Sequence, residues 1–154
     1  MLAEHAARCH GIPVFSKDRL EATLWRSGIG AAADSGWIAY ELLTTLLEGQ
    51  LESGQSAIID SVATFRRIRD GWRQLAERYG ALFRVVECVC SDRALHERRL
   101  VGRVRGIPGW PELTWEQVEQ TRTLYEPWDG ERLILDAVSP LEENLRTLDA
   151  WLHS

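Results

Sequence analysis

The chain has 154 residues, 45% of them hydrophobic and 27% charged, and its formal net charge at pH 7 is -5. These values are typical of one globular domain with its own core, so we expect a single domain over residues 1–154. The negative charge argues against a broad surface for nucleic acid or for an acidic membrane. We also find no apolar stretch long enough for a membrane span and no signal-peptide pattern, and we expect a cytoplasmic protein.

The cysteines and histidines show no disulfide or metal-binding pattern along the chain. Three cysteines make a poor disulfide framework, and two of them, Cys88 and Cys90, lie two residues apart on one predicted strand. The four histidines are scattered, and none has the spacing of a zinc ligand. We therefore expect small buried cysteines and histidines at the surface.

The chain begins with a predicted helix and a short strand. Residues 1–10 carry an apolar stripe at helical spacing, and Gly11 is the expected stop. Residues 12–16, Ile-Pro-Val-Phe-Ser, predict a strand with its proline near the start. Asp18 and Glu21 then have the spacing of a capping box for a short second helix.

A glycine-rich stretch at residues 28–33 superficially matches a dinucleotide-binding fingerprint. That fingerprint follows a strand, whereas this stretch follows a predicted helix, so we interpret it as a flexible loop. Residues 37–52 predict a long helix, because isoleucine and leucine side chains share one side of it. Gly54 ends this helix.

Residues 56–61, Ser-Ala-Ile-Ile-Asp-Ser, form the stretch around which we expect the domain to be organised. A short apolar run bounded by turn residues predicts a strand buried on both faces. Ligands of open parallel sheets bind just beyond the carboxyl ends of the strands, and Asp60 lies at such an end. Asp60 is therefore a candidate site residue, and its alternative role is to cap the loop or helix that follows.

The second half continues the alternation of helix and strand. Residues 65–79 keep a strong helical period, and residues 82–90 predict another strand. Ser91 or Asp92 is the expected cap of an arginine-rich helix that reaches about Val104.

Two further helices flank the last predicted strand, residues 132–136. Thr114 and Gln117 have capping-box spacing at the start of the first, and Ser139 and Pro140 supply a cap and a first-turn proline for the second. The elements therefore run α-β-α-α-β-α-β-α-α-β-α. This order predicts an α/β fold with a parallel sheet and helices on both faces.

Together these stretches resemble the P-loop kinase-like AAA family ATPases, which include zeta-toxin-like and polynucleotide-kinase-like small phosphotransferases. The resemblance covers essentially the whole chain and rests on the order of four stretches. They are the strand leading to Asp18, the strand leading to Asp60, the strand and arginine-rich helix from Phe83 onward, and Leu-Ile-Leu-Asp followed by Ser139 and Pro140. The resemblance implies a three-layer α/β/α P-loop NTPase-like fold.

The resemblance also implies catalytic roles. Asp18 would orient or deprotonate the acceptor hydroxyl, and Asp60 would lie near Mg²⁺. Arg99 and Arg103, on a mobile lid helix, would neutralise charge on the transferred phosphoryl group. Phosphoryl transfer mainly needs positioned groups and stabilised negative charge, which carboxylates and guanidinium groups supply. The alternative roles are a helix cap for Asp18 and a solvated helix face for the arginines.

The implied cofactors are ATP and Mg²⁺. Arg98 is the remaining lid arginine assigned to the nucleotide, and Ser139 and Pro140 belong to the loop that would lie beside the adenine. The acceptor would be a hydroxyl on a small metabolite, an antibiotic, a nucleoside or a polynucleotide end, and the acidic net charge disfavours the last.

The sequence lacks the family's defining motif, Gly-x-x-x-x-Gly-Lys-Ser/Thr. Lys17 is the only lysine, and Ser16 precedes it. The resemblance therefore implies that the first, central strand and the phosphate loop are missing, so we expect a gap or closure in the sheet, weak ATP binding and little turnover. Two explanations stay open: a start assigned too far downstream in a complete kinase, or a true truncation that leaves a degenerate binding or interaction module.

Seven tryptophans are many for this length, and Trp110, Trp115 and Trp128 cluster around the arginine-rich segment and the helix after it. They could shape an acceptor pocket, pack the core or form an interaction surface. Core packing is the default. Exposure of Trp110 and Trp128 together on one face would favour an interaction protein.

Overall fold

The computed structural model describes residues 1–30 and 33–154, and in these residues seven helices and four strands alternate in the predicted order. The strands are β1 (Val14–Ser16), β2 (Ile58–Asp60), β3 (Val86–Val89) and β4 (Leu133–Asp136). The helices are α1 (Leu2–His10), α2 (Lys17–Arg26), α3 (Ser35–Glu52), α4 (Arg66–Arg78), α5 (Arg93–Leu100), α6 (Trp115–Leu124) and α7 (Leu141–His153).

The strands form two parallel pairs, as strands joined through helices must. In the first pair, β1 lies beside β2 with Ser16 opposite Asp60. In the second pair, β3 lies beside β4 with Val86 opposite Leu133. Among the described residues, β2 and β3 are not joined by strand hydrogen bonds. We expected either a gap or closure of the sheet, and the structure shows the gap.

Helices cover both faces of the strands. One buried cluster joins α1, α7 and β4 and consists of Ala6, Leu135 and Leu148. The other is built mainly by α3 and α4 and consists of Leu43, Leu47, Ala63, Ile68, Trp72 and Leu75. Ile58 packs against the first cluster and Ile59 against the second, because successive side chains of a strand point to opposite faces. The result is the three-layer α/β/α arrangement.

Several helix boundaries follow local signals in the sequence. Gly11 ends α1 with a φ of 65°, a conformation that favours glycine. Asp92 caps α5, where its side chain accepts a 2.9 Å hydrogen bond from the backbone N–H of Leu95. At α6, Thr114 and Gln117 form the predicted reciprocal capping box.

Two other predicted start signals are wrong. α2 begins at Lys17, so Asp18 lies within the first turn, and Glu21 is buried in a polar network that replaces the expected cap. At α7, Pro140 and not Ser139 precedes the first helical residue, and no side chain makes a cap hydrogen bond there. At α2, contacts from Ser35 to Glu21 and from Arg105 to Asp18 compete with the local motif.

The glycine-rich stretch after α2 is only partly described. Residues 28–30 form a turn and loop, as predicted, whereas Ala31 and Ala32 lie outside the described residues. In the described part of the chain, no helix is both long enough and apolar enough to cross a membrane.

The helical side of the core provides a test of the packing. Leu43 is fully buried in α3, so Leu43→Ala should leave a cavity and lower the free energy of unfolding by about 2–5 kcal/mol. Urea denaturation followed by circular dichroism measures this change. Leu82→Ala is the matched control, because Leu82 is 84% exposed and its loss should change stability by no more than about 0.5 kcal/mol. Similar effects of both changes would contradict the assigned core.

Candidate active site

Asp18 and Asp60 lie close together at the carboxyl ends of β1 and β2. The parallel register puts Ser16 opposite Asp60, and Asp18 follows Ser16 by two residues in the first turn of α2. Burial is the main cause of the raised pKa of Asp60, and the charge of the nearby Asp18 contributes to it. The structure thus brings together the two acids that the sequence placed at the ends of separate strands.

A cleft of about 220 Å³ opens at this edge of the first strand pair. Its lining residues come from α1, β1, α2 and β2 and are Glu4, Val14, Ser16, Arg19 and Asp60. Carboxylates therefore outnumber the basic side chains in the lining. Such a cleft favours a cation, or an anion that arrives with one.

Burial and the neighbouring charges change the pKa of Asp60. Burial is the largest influence and raises the pKa of Asp60 above its ordinary value, and the charges of Asp18 and Glu4 raise it further. The ammonium group of Met1 and the guanidinium group of Arg103 act in the opposite direction. Perturbed carboxylates in clefts are typical of functional sites.

An arginine from a distant part of the chain reaches the acid pair. α5 ends at Leu100, short of the predicted Val104, and we call the following residues 101–114 the strap. Nη1 of Arg105, in the strap, donates a 2.7 Å hydrogen bond to Oδ2 of Asp18, 87 residues earlier. Nε of Arg105 also donates to Glu112 at 3.1 Å. The side chain of Arg105 is only 10% exposed, whereas that of Asp18 is 37% exposed, so the pair is shielded on the side of the arginine and open on the side of Asp18.

The strap is fastened to α2 by further contacts. The rings of Trp110 and Trp25 lie 5.0 Å apart, and Arg26 donates a hydrogen bond to the backbone oxygen of Pro108. Gly109 has a φ of 75°, and a Cβ at this position would come within 2.9 Å of Cγ of Arg26. This close approach explains why glycine suits the position. The strap therefore lies directly over the helix that carries Asp18.

A buried polar network fixes the first turn of α2. Lys17 forms an ion pair with Glu21, which is only 6% exposed. Oγ of Ser35 donates to Oε1 of Glu21 at 2.8 Å, and Nε1 of Trp25 donates to Oγ of Ser35 at 2.8 Å. A buried carboxylate needs such partners, since leaving it unpaired is costly. The network holds α2 against α3 and so determines where Asp18 lies.

The three predicted lid arginines lie in different surroundings. Arg103, in the strap, is near enough to Asp60 for its charge to lower the pKa of that carboxyl. Arg99 donates a hydrogen bond to the backbone oxygen of Ala137, in the loop after β4. Arg98 is exposed in the last turn of α5.

The loop after β4 is held by Asp136. Oδ1 of Asp136 accepts hydrogen bonds from the backbone N–H groups of Ser91 at 3.1 Å and Val138 at 3.0 Å. Hydrogen bonds from Ser91 are the main reason that the pKa of Asp136 lies below its ordinary value. The N–H of Ser139 donates to the backbone oxygen of Asp136, and Pro140 follows. Ser139 and Pro140 thus lie at the second strand pair.

The predicted residues therefore form two groups. Asp18, Asp60 and Arg103 lie at the carboxyl ends of the first strand pair, whereas Arg99, Ser139 and Pro140 lie at those of the second. Sequence reasoning did not choose Arg105, although it lies in the same arginine-rich stretch. Arg105 and its partner Glu112 lie in a loop, where helical or strand periodicity does not relate two residues. The sequence therefore gave no indication that they would pair.

The tryptophans are packed within the domain. Trp128 is buried, with its ring 6.2 Å from that of Phe83, and half-buried Trp110 packs on Trp25. Trp115 contacts His96 edge-on at 5.3 Å. Trp110 and Trp128 are not exposed together, so the observation that would have favoured an interaction surface is absent from the described residues.

The comparisons with known proteins identify the family. A family model described as AAA domain matches residues 1–127. The chain belongs to this AAA domain family. No curated protein sequence matches the chain.

Solved structures show the fold of this AAA domain protein. A sugar kinase from Janibacter sp. HTCC2649 is 20% identical, with a TM-score of 0.67 over 99% of this chain and 86% of that one. A candidate kinase from Chloroflexus aurantiacus is 21% identical, with a TM-score of 0.73 over 99% and 88%. A gluconokinase from Sinorhizobium meliloti 1021 is 21% identical, with a TM-score of 0.70 over 99% and 83%. The fold is therefore P-loop kinase-like.

Asp60→Asn tests the electrostatics of the cleft. The pKa of Asp60 is raised in the folded chain, so the folded state binds the carboxyl proton more tightly than the unfolded state does. As the pH rises above about 4, the ordinary pKa of an aspartate, loss of this proton therefore lowers the stability of the folded chain. The neutral asparagine avoids this loss. The variant should therefore melt at a higher temperature than the wild type at pH 7, and the difference should shrink towards pH 4.

Thermal unfolding at a series of pH values measures the effect. Asp70→Asn is the matched control: Asp70 lies outside the cleft, on α4, in an ion pair with Arg73, and its replacement should give no gain. A lower melting temperature for Asp60→Asn than for the wild type at pH 7 would contradict the prediction that ionised Asp60 destabilises the folded chain.

Proposed function

We propose that the chain is an ATP-dependent phosphotransferase that transfers the γ-phosphoryl group of ATP to a hydroxyl of a small molecule. At the level of the family, the kinase-like fold supports a nucleotide-binding phosphotransferase. The observation that carries the proposal is the pairing of Arg105 with Asp18 beside Asp60. It joins two carboxylates and a guanidinium group at one edge of parallel strands, where α/β proteins bind ligands.

The donor set of the cleft fits Mg²⁺. Glu4 and Asp60 line one cleft, and Asp18 lies close to it. Carboxylate oxygens are the protein ligands that Mg²⁺ takes, usually together with water and phosphate oxygens. We assign Asp60 to this ion, directly or through water. When bound, the ion would neutralise charge on the phosphates of the nucleotide.

Asp18 is the proposed acceptor-binding residue. Its side chain is 37% exposed, so a hydroxyl group can reach it although one oxygen is engaged with Arg105. Asp18 would orient the hydroxyl and accept its proton. Positioning and charge stabilisation supply most of the catalysis in phosphoryl transfer.

Arg103 and Arg105 are the proposed phosphoryl-binding residues. Both belong to the strap: Arg105 donates a hydrogen bond to Asp18 beside the cleft, and the charge of Arg103 acts on Asp60 within it. A negative phosphoryl group that enters the cleft would compete with these acids for the guanidinium groups. Arg98, Ser139 and Pro140 remain proposed residues of the nucleotide side. Arg99, which the resemblance assigned to the transferred phosphoryl group, contacts the loop before Ser139 and Pro140, and we propose it for the nucleotide side as well.

A small hydroxylated acceptor is the proposed substrate class. Two of the similar structures are described as a sugar kinase and a gluconokinase, which supports a sugar or sugar acid as the first compounds to test. The net charge of -5 argues against a polynucleotide.

A second candidate function is a binding module without catalysis. One observation favours it: the 154 residues contain no Gly-x-x-x-x-Gly-Lys-Ser/Thr motif. That loop surrounds phosphates with several N–H groups, whereas the basic groups here are separate side chains and the ammonium group of Met1. We therefore expect this chain to bind ATP weakly.

Titration calorimetry with Mg-ATP tests the nucleotide affinity of the 154-residue chain. We expect a dissociation constant in the millimolar range, which corresponds to about -4 kcal/mol. A matched titration of Asp60→Asn should show weaker binding still, because Asp60 is assigned to the metal ion. Micromolar affinity in the wild type would contradict the expectation.

Transfer is tested with labelled ATP at millimolar concentration and a panel of sugars, sugar acids and nucleosides. Asp18→Asn should lower turnover at least about 100-fold, the usual contribution of a general base, and leave the affinity for Mg-ATP nearly unchanged. Asp70→Asn, on α4, should keep wild-type turnover. Unchanged turnover in Asp18→Asn would remove Asp18 from the mechanism. Binding of Mg-ATP without transfer to any acceptor would favour the second candidate.

A further inference from the structure

Three side chains with different donor atoms meet between α1 and α7. Nε2 of His5 lies 2.9 Å from Oδ2 of Asp149 and 3.6 Å from Sγ of Cys9. One donor atom from each residue lies within 4.8 Å of the other two. His5 and Cys9 are four residues apart on one helix face, whereas Asp149 is 144 residues away from His5.

We propose that His5, Cys9 and Asp149 bind a transition-metal ion of the zinc class. Imidazole, thiolate and carboxylate together suit zinc, and the sulfur argues against Mg²⁺ or Ca²⁺, which prefer oxygen ligands alone. Three protein ligands leave a fourth tetrahedral position for water. The site lies outside the acidic cleft and does not depend on the proposed kinase activity.

The distances suit such an ion. With bonds of about 2.1 Å to nitrogen and about 2.3 Å to sulfur, tetrahedral geometry separates the two ligand atoms by about 3.6 Å. Nε2 of His5 and Sγ of Cys9 are 3.6 Å apart. The contact between His5 and Asp149 is shorter than tetrahedral geometry requires, because the two groups form a hydrogen bond. A small rotation of the Asp149 side chain would open it.

A pair of imidazoles lies beside these residues. His10 follows Cys9, and its ring is 5.0 Å from that of His153. Nε2 of His10 is buried and has no hydrogen-bond partner among the described residues, which is unusual for a polar atom. Nδ1 of His153 lies 2.7 Å from the backbone oxygen of Asp149. Three of the four histidines of the chain thus gather at this junction, and His5 is the one among them that belongs to the group of possible ligands in the described residues.

An ion at this junction would join α1 to α7. These helices already share the cluster of Ala6 and Leu148, and α1 also carries Glu4 into the acidic cleft. Cys9 is exposed, and His5 and Asp149 are partly exposed, so an ion can enter from solvent. An ion that binds only the folded chain would stabilise it.

Titration with Co²⁺ tests the proposal on the reduced, untagged chain. Co²⁺ replaces Zn²⁺ in such sites, and a thiolate ligand gives a charge-transfer band in the near ultraviolet. We expect this band to saturate at one ion per chain and to disappear when Zn²⁺ is added. Cys9→Ser should remove the band, and Asp149→Asn should weaken Co²⁺ binding at least about 10-fold.

Two variants serve as matched controls. Cys90→Ser removes a free cysteine, and His96→Ala removes the remaining histidine, which contacts Trp115. Both should keep the band and the wild-type affinity. Zn²⁺ should raise the melting temperature of the wild type and of both controls, but not that of Cys9→Ser. Because Cys9 is exposed, Cys9→Ser should fold, and its circular dichroism spectrum checks this.

Three results on the charge-transfer band would overturn the proposal. They are the absence of a charge-transfer band in the wild type, a band that persists in Cys9→Ser, and a band that Cys90→Ser removes. Binding of several ions with equal affinity in the wild type and in Asp149→Asn would show adventitious surface coordination and would also overturn it.

Discussion

The parallel pairing of β1 with β2 is the constraint on which the candidate active site depends. Its register places Ser16 opposite Asp60, so the chain must leave both strands at the same edge, and Asp18 arrives beside Asp60. Apolar residues on the strands secure this register, because Ile58 and Ile59 pack against the clusters on opposite faces. The buried ion pair of Lys17 and Glu21 then fixes the turn that carries Asp18.

Placing acids together has a cost that the rest of the site partly offsets. Burial and neighbouring carboxylates raise the pKa of Asp60, whereas Arg103 opposes this shift and Arg105 pairs with Asp18. A partly exposed ion pair contributes little net stability. The pair of Arg105 and Asp18 helps to place the strap on α2, together with the contact between the rings of Trp110 and Trp25. Repulsion among carboxylates favours a bound cation, which supports the proposed Mg²⁺ site.

The helices on the other side of the molecule show a different kind of convergence. α1 and α7 come from opposite ends of the chain and meet over a small apolar cluster, and their polar faces then bring His5, Cys9 and Asp149 together. Each residue looks unremarkable in the sequence. The spacing of residues in the sequence did not bring these three together, since zinc-ligand spacing detects only ligands that lie near one another in the chain.

The sequence by itself determined the order of helices and strands, the stops and caps at Gly11, Asp92 and Thr114, and the placement of Asp60 at a strand end, because these depend on local periodicity and turn chemistry. Only the tertiary structure decided which arginine reaches Asp18 and which side chains surround Asp149. The contact of Arg105 with Asp18 joins residues that are 87 positions apart, and that of Asp149 with His5 joins residues that are 144 positions apart. Local sequence patterns cannot predict contacts over such separations. The start of α2 shows the same limit, since Glu21 has the spacing of a cap yet bonds to Lys17 and Ser35, where burial makes the pairing compulsory.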